Sequence, residues 1–216
     1  MNRVELPNIS PRAWEHPADR AALSALKQVP GIDEVVKFFL GMTGEKSIRL
    51  LHLASSVRVG PKQFSRLDSL MAEACRVLDV QERPELYVTQ NPVLNAGAIG
   101  VKQPFITLNS SLIDTLDDEE TLAVIAHELG HIMSGHMLYK TLLWVLLNAA
   151  AFFVRIPVAQ IVLAGVVTAL KEWYRKSELS CDRAGLLAVQ DPKVSTTVLM
   201  KLAGGKNLDE MDIDEF

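Results

Sequence analysis

The run Thr121-Leu-Ala-Val-Ile-Ala-His-Glu-Leu-Gly-His-Ile132 leaves little choice of fold around it. Leu122, Ile125, Ala126, Leu129, Ile132 and Met133 recur at helical spacing, so the segment reads as a buried helix. Asp117 stands before it as an N-cap, with Glu120 three residues on in capping-box spacing. A buried helix with two histidines and a glutamate must find partners for them. His127 and His131 are four residues apart, about 400° of helix at ~3.6 residues per turn, so they project from one face. Two imidazoles so placed can bind one Zn²⁺, with Glu128 reaching the metal's open side. The plain alternative is a core helix with two hydrogen-bonded histidines.

A catalytic zinc site needs a third protein ligand and leaves a position for water. Ser177-Glu-Leu-Ser-Cys-Asp-Arg-Ala184 offers one. Glu178 and Asp182 are four apart and share a helix face. Glu178 can ligate, and Asp182, one turn on, can accept the free N–H of a liganding histidine. The alternative is a solvated acidic pair, the usual fate of such residues. Cys181 points off their shared face and is not read as a ligand.

With these residues in place, the chain resembles the gluzincin metallopeptidases of the HtpX and CAAX prenyl-protease type. HELGH followed by the E-x-x-x-D helix carries the likeness. Asn95-Ala-Gly-Ala-Ile-Gly100 is similar to that family's Asn-Ala segment along the substrate cleft. Pro104-Phe-Ile-Thr-Leu-Asn-Ser-Ser-Leu-Ile113 resembles its strand and short connector before the zinc helix. His136, in Ile132-Met-Ser-Gly-His136, matches a further histidine often found after HELGH. The resemblance runs over residues 85–205. It departs at Gly97, where the family often has a bulky residue, which leaves the cleft's side-chain preference open.

The resemblance implies a zinc-dependent endopeptidase acting on protein or peptide substrates. It implies one Zn²⁺ per chain on His127, His131 and Glu178, with Glu128 as the base and Asp182 behind a ligand. Asn95, Ala96 and the backbone of 95–98 would pair with an extended substrate as an added strand. His136 could reach a developing oxyanion if the helix ends near Gly135; a helix-terminal histidine with no such role is the alternative. The rival function is a catalytically silent zinc-binding membrane scaffold or an oligomerisation protein. Intact Glu128 argues against it, because a structural site needs no base.

Thirty residues, Thr141–Leu170, hold a single charge, Arg155. Arg155 and Pro157 divide them into apolar halves of 14 and 15 residues, short of the ~20 that a spanning helix needs. A hydrophobic helical hairpin is expected. It is read as membrane-associated, with the catalytic domain on the cytoplasmic side and Lys140, Lys171, Arg175 and Lys176 at the headgroup boundary. Packing on the N-terminal helices or on a second copy of the chain, in a soluble cytoplasmic protein, is the alternative.

The fold expected is α+β and mostly helical: a zincin-like core with a small sheet over the HExxH helix. An N-terminal helical extension fills 1–60, the peptidase domain 61–206, and an acidic tail 207–216. Helices are expected at 16–28, 32–40 and 61–78, with Pro61 near the start of the last. Strands are expected at 85–90, 98–101 and 105–108, while 47–59 fits either period. At 216 residues and 49% hydrophobic, one core can be buried. A net charge of −4 leaves no nucleic-acid footprint. Cys75 and Cys181 lack CxxC spacing and read as free thiols in a reducing compartment. Met1-Asn-Arg-Val-Glu-Leu-Pro7 has no apolar signal core.

Overall fold

In the computed structural model, which describes residues 3–41, 49–50, 52–149 and 157–216, two helices lead the chain. The first is α1 (Pro17–Leu26) and the second α2 (Ile32–Gly41). His16 caps α1 by accepting the Ala18 N–H at 3.1 Å, and Pro17 sits where a missing N–H costs nothing. The ambiguous stretch divides: residues 49–50 and 52–54 are helical and Ser56–Arg58 is strand β1. Ser47, Ile48 and Leu51 lie outside the described residues.

Helix α3 (Ser65–Val77) begins four residues later than expected. Gly60 and Gln63 instead bond each other's backbone across a tight turn that holds Pro61, and Phe64 takes a left-handed conformation before the helix starts. Strands β2 (Glu85–Thr89), β3 (Ala96–Ile99) and β4 (Phe105–Asn109) follow. β3 starts two residues earlier than expected and stops before Gly100, whose φ of +102° turns the chain. The sheet order is β1-β2-β4-β3, with β2 and β4 parallel and the outer pairs antiparallel. β3 is therefore an edge.

Among the described residues the α-helices that follow are α4 (Ser110–Thr115), α5 (Asp118–Met133), α6 (Met137–Ala149), α7 (Pro157–Val189) and α8 (Pro192–Gly204). The α5 capping box is complete in both directions. Leu122, Ile125, Ala126 and Leu129 of α5 join Ile106 and Leu108 of the sheet and Leu67 and Met71 of α3 in the main core. α5 and α7 cross closely. A Cβ on Gly130 would stand 2.9 Å from Ala184 Cβ and 3.2 Å from Cys181 Cα. One on Gly185 would stand 3.0 Å from the Ala123 carbonyl oxygen. Glycine at both positions lets the two helices bearing the candidate ligands touch.

The apolar stretch builds a second core. Leu142, Leu143 and Leu146 of α6 pack with Val166, Leu170 and Trp173 of α7 and with Leu26, Ile32 and Phe39 of the N-terminal helices. Protein thus covers the inner face of the expected hairpin. No helix among the described residues is long and apolar enough to cross a membrane. The apolar half from Pro157 runs without interruption into the segment bearing Glu178 and Asp182, so it is one end of a longer helix. The break expected at Arg155 lies outside the described residues. Outward, α6 and α7 expose Trp144, Leu147, Ile161 and Val162.

Candidate metal centre and cleft

His127 and His131 leave α5 on one face, and Glu178 meets them from α7. His127 Nε2 lies 3.2 Å from Glu178 Oε2, and His131 Nε2 lies 3.2 Å from Glu178 Oε1. One carboxylate therefore addresses both Nε2 atoms. His131 Nε2 and Glu178 Oε1 are buried yet make no well-formed hydrogen bond. Two orphaned buried acceptors aimed at one point suit a shared cation, and a His₂Glu donor set suits Zn²⁺. Asp182 Oδ1 stands 3.0 Å from His127 Nδ1, placed to accept its N–H in the tautomer that would offer Nε2 to a cation.

Cys181 is a competing donor, because atoms of His127, His131 and Cys181 fall within 4.8 Å of one another. Its sulfur is 3.8 Å from His136 Nδ1, which faces His131 Nδ1, so it sits behind the imidazoles. Burial pushes its thiol well above the ordinary range. Glu178 is the better third donor.

The charges are strongly coupled. Burial pushes the Glu178 carboxyl up, but His127 and His131 outweigh this and hold it below the usual carboxylate range. Burial lowers His127, while Asp182 and Glu178 raise it to about 10. Burial and the Lys140 charge bring His131 down to about 4. Glu128 is pushed up by burial, yet Lys140 and the two histidines lower it to about 2. Its Oε2 accepts from Lys140 Nζ at 2.9 Å and from the Ala98 N–H at 2.7 Å.

That last contact orients the edge strand. The Asn95 and Gly97 carbonyls accept from Asn109 N–H and Thr107 Oγ1 on β4, so alternation turns the Ala96 and Ala98 backbone outward. Asn95 and Ala96 line a cleft of about 370 Å³ together with His127, Glu128, Glu178 and Asp182. Leu112, Val124, Val198, Leu199 and Leu202 form its apolar wall. A side chain at Gly97 would meet nothing within 4 Å.

His136 goes elsewhere. The α5 helix does end near Gly135, whose φ is +70°, which meets the condition set for His136. His136 N–H bonds the His131 carbonyl and Gly135 N–H the Ile132 carbonyl, the paired bonds of a Schellman turn. The turn folds His136 back onto the buried side of His131 instead of into the cleft. It is only 2% exposed and is not among the residues that line the cleft.

Residues 61–213 match the family model of Peptidase family M48. The chain belongs to that family. Over 208 residues this M48 chain is 39% identical to Plastoglobule-localized metallopeptidase 48, chloroplastic, of Arabidopsis thaliana, a match covering 94% of this chain and 59% of the relative. Over 80 residues it is 30% identical to Protease HtpX of Yersinia enterocolitica and 31% identical to that of Yersinia pestis, covering 36% of this chain and 27% of each relative. The chain thus spans about three fifths of the first relative and about a quarter of the HtpX proteases. No solved structure matches it.

Three residues beside the M48 motifs escaped the sequence reading. Lys140, read there as a membrane-flanking charge, is nearly buried against Glu128. Tyr174 lines the cleft and stacks on His131 with 5.9 Å between ring centres; its place one turn before Glu178 was the available signal. Asp19, 2% exposed on α1, bonds His136 at 3.0 Å, and nothing local in the sequence marks it.

Proposed function

We propose that this M48 chain is a zinc-dependent endopeptidase with His127, His131 and Glu178 as metal ligands and Glu128 as proton carrier. The observation that carries this reading is the convergence of both histidine Nε2 atoms on the two Glu178 oxygens, with Glu128 adjoining. Bound there, Zn²⁺ would polarise the scissile carbonyl and make a water acidic near neutral pH. Glu128 takes the proton of the attacking water and returns it to the leaving nitrogen. Asp182 holds the His127 ring by its Nδ1–H. The outward Ala96 and Ala98 backbone pairs an extended substrate along β3, once Glu128 gives up the Ala98 N–H. The apolar wall of Leu112, Val198, Leu199 and Leu202 favours a substrate with a bulky apolar side chain beside the scissile bond.

The outward face of Trp144, Leu147, Ile161 and Val162 supports a further reading, that the enzyme rests on a membrane surface without crossing it. The test of the main reading is bound-zinc analysis and casein cleavage, each for wild type and Glu128→Gln. Zinc in both, with hydrolysis only in the wild type, is the expected result. A zinc-loaded wild type inactive on unfolded and apolar substrates would favour the silent scaffold.

A further inference from the structure

Behind His131 runs a line of buried polar contacts that the peptidase reading does not use. His131 Nδ1 is 3.2 Å from His136 Nδ1. His136 Nε2 is 3.0 Å from Asp19 Oδ2, which also accepts from Ser180 Oγ at 2.6 Å. His131, His136, Asp19 and Ser180 are all almost fully buried. Asp19 belongs to α1, outside residues 61–213 that match the family.

We propose that Asp19 and His136 are positioning residues for His131: a buried relay from α1 fixes the tautomer and ring orientation with which His131 presents Nε2 to the cleft. This rests on the reading of His131 as a metal ligand.

With both imidazoles neutral, the geometry leaves one consistent set of protons. A neutral imidazole has one donor and one acceptor nitrogen. Asp19 is pushed up by burial, but hydrogen bonds from His136 and Ser180 hold it below the usual carboxylate range, so it accepts only. His136 Nε2 must then donate to it. In that neutral form His136 Nδ1 accepts and His131 Nδ1 donates to it across 3.2 Å. His131 Nε2 is left with a bare lone pair, the form that ligation requires. Asp182 imposes the same tautomer on His127 directly. The two histidines are thus set by carboxylates from opposite sides, one at the cleft mouth and one in the core.

Packing alone explains Asp19 poorly. An ionised carboxylate at 2% exposure is costly, and its Oδ1 makes no well-formed hydrogen bond, although the Trp173 indole lies near it. An apolar residue would dock α1 on α7 more cheaply. The Cys181 thiol, 3.8 Å from His136 Nδ1, is a second and weaker donor to the same acceptor and does not reverse the relay.

The test compares wild type with Asp19→Asn, His136→Phe, the double variant and His16→Ala. Zn²⁺ affinity is measured by chelator competition, the melting temperature on metal-free protein, and the visible spectrum on the Co²⁺ form. Asp19→Asn should weaken Zn²⁺ by about tenfold and His136→Phe by ~10–100-fold, the scale for losing an outer partner of a ligand. The double variant should match His136→Phe alone, since both cut one chain. Both single variants should alter the Co²⁺ spectrum. His16→Ala, which removes the side-chain cap of α1 but keeps the backbone N–H that Ser180 Oγ accepts, should lower the melting temperature and leave affinity unchanged. A lower melting temperature with unchanged affinity in Asp19→Asn would overturn the proposal, as would additive losses in the double variant. Asp19→Asn decides alone if His136→Phe does not fold. A wild type that takes up no Zn²⁺ would instead sink the ligand reading and the relay with it.

Discussion

Lys140 Nζ lies 2.9 Å from Glu128 Oε2, across the turn that separates α5 from α6. The cation offsets the burial that would otherwise push the carboxyl up, and Glu128 stays ionised to about pH 2. An ionised glutamate is the form that can accept a water proton. Lys140→Met should therefore raise the Glu128 pKa and move the acid limb of the pH–rate profile to higher pH. An acid limb that stays in place would mean that Lys140 does not tune the base. Glu128→Gln, by contrast, should retain zinc and lose nearly all hydrolysis at every pH.

The two carboxylates of α7 should separate in a metal titration. Glu178→Gln removes the proposed third ligand and should cost more zinc affinity than the ~10–100-fold typical of outer partners. Asp182→Ala removes the acceptor for His127 Nδ1–H. Half of the Asp182 side chain is exposed, so water can replace it, and the loss should fall near the lower end, about tenfold. Equal zinc affinity in wild type and Glu178→Gln would take Glu178 out of the ligand set.

The Gly130 contact makes a prediction about stability. Alanine normally stabilises a helix interior over glycine by about 1 kcal/mol. At Gly130 the new Cβ meets Ala184 Cβ at 2.9 Å and the Cys181 backbone at 3.2 Å, and neither can swing aside. Overpacking of this kind costs about 1–3 kcal/mol, so Gly130→Ala should destabilise on balance. It should also weaken zinc binding, because α7 must move and Glu178 with it. Gly165→Ala, on the same α7 but with nothing within 4 Å, is the control and should stabilise. If both variants shift chemical denaturation the same way, the close crossing is not what Gly130 serves.

Local features account for what the sequence revealed. The His127–His131 spacing and the Asp117–Glu120 capping box each depend on residues within a few positions. Asp19 and Lys140 did not announce themselves, because their roles arise from long-range packing: Asp19 meets Ser180, 161 residues away. His136 shows the limit between the two. The sequence left the helix end near Gly135 as a condition, and the direction of the turn depends on α1 and α7 packing behind it. Pro61 shows the reverse error, a helix-start signal overridden by a tight turn just ahead of α3.

The apolar stretch divides its surfaces in a testable way. Its inner face is sealed by Leu26, Ile32 and Phe39, and no helix among the described residues is long and apolar enough to cross a membrane. Trp144, Leu147, Ile161 and Val162 still face outward, Ile161 at 76% exposure. Such residues suit a shallow interfacial contact, with an indole at headgroup depth and aliphatic chains just below. The chain should float with liposomes yet be released by high pH or detergent-free washing, as a surface-bound protein is. Leu147→Asp with Ile161→Asp should abolish flotation and leave bound zinc unchanged, since neither side chain lines the cleft. A wild-type monomer that ignores liposomes of every composition would end the membrane reading and leave the metal site as it stands.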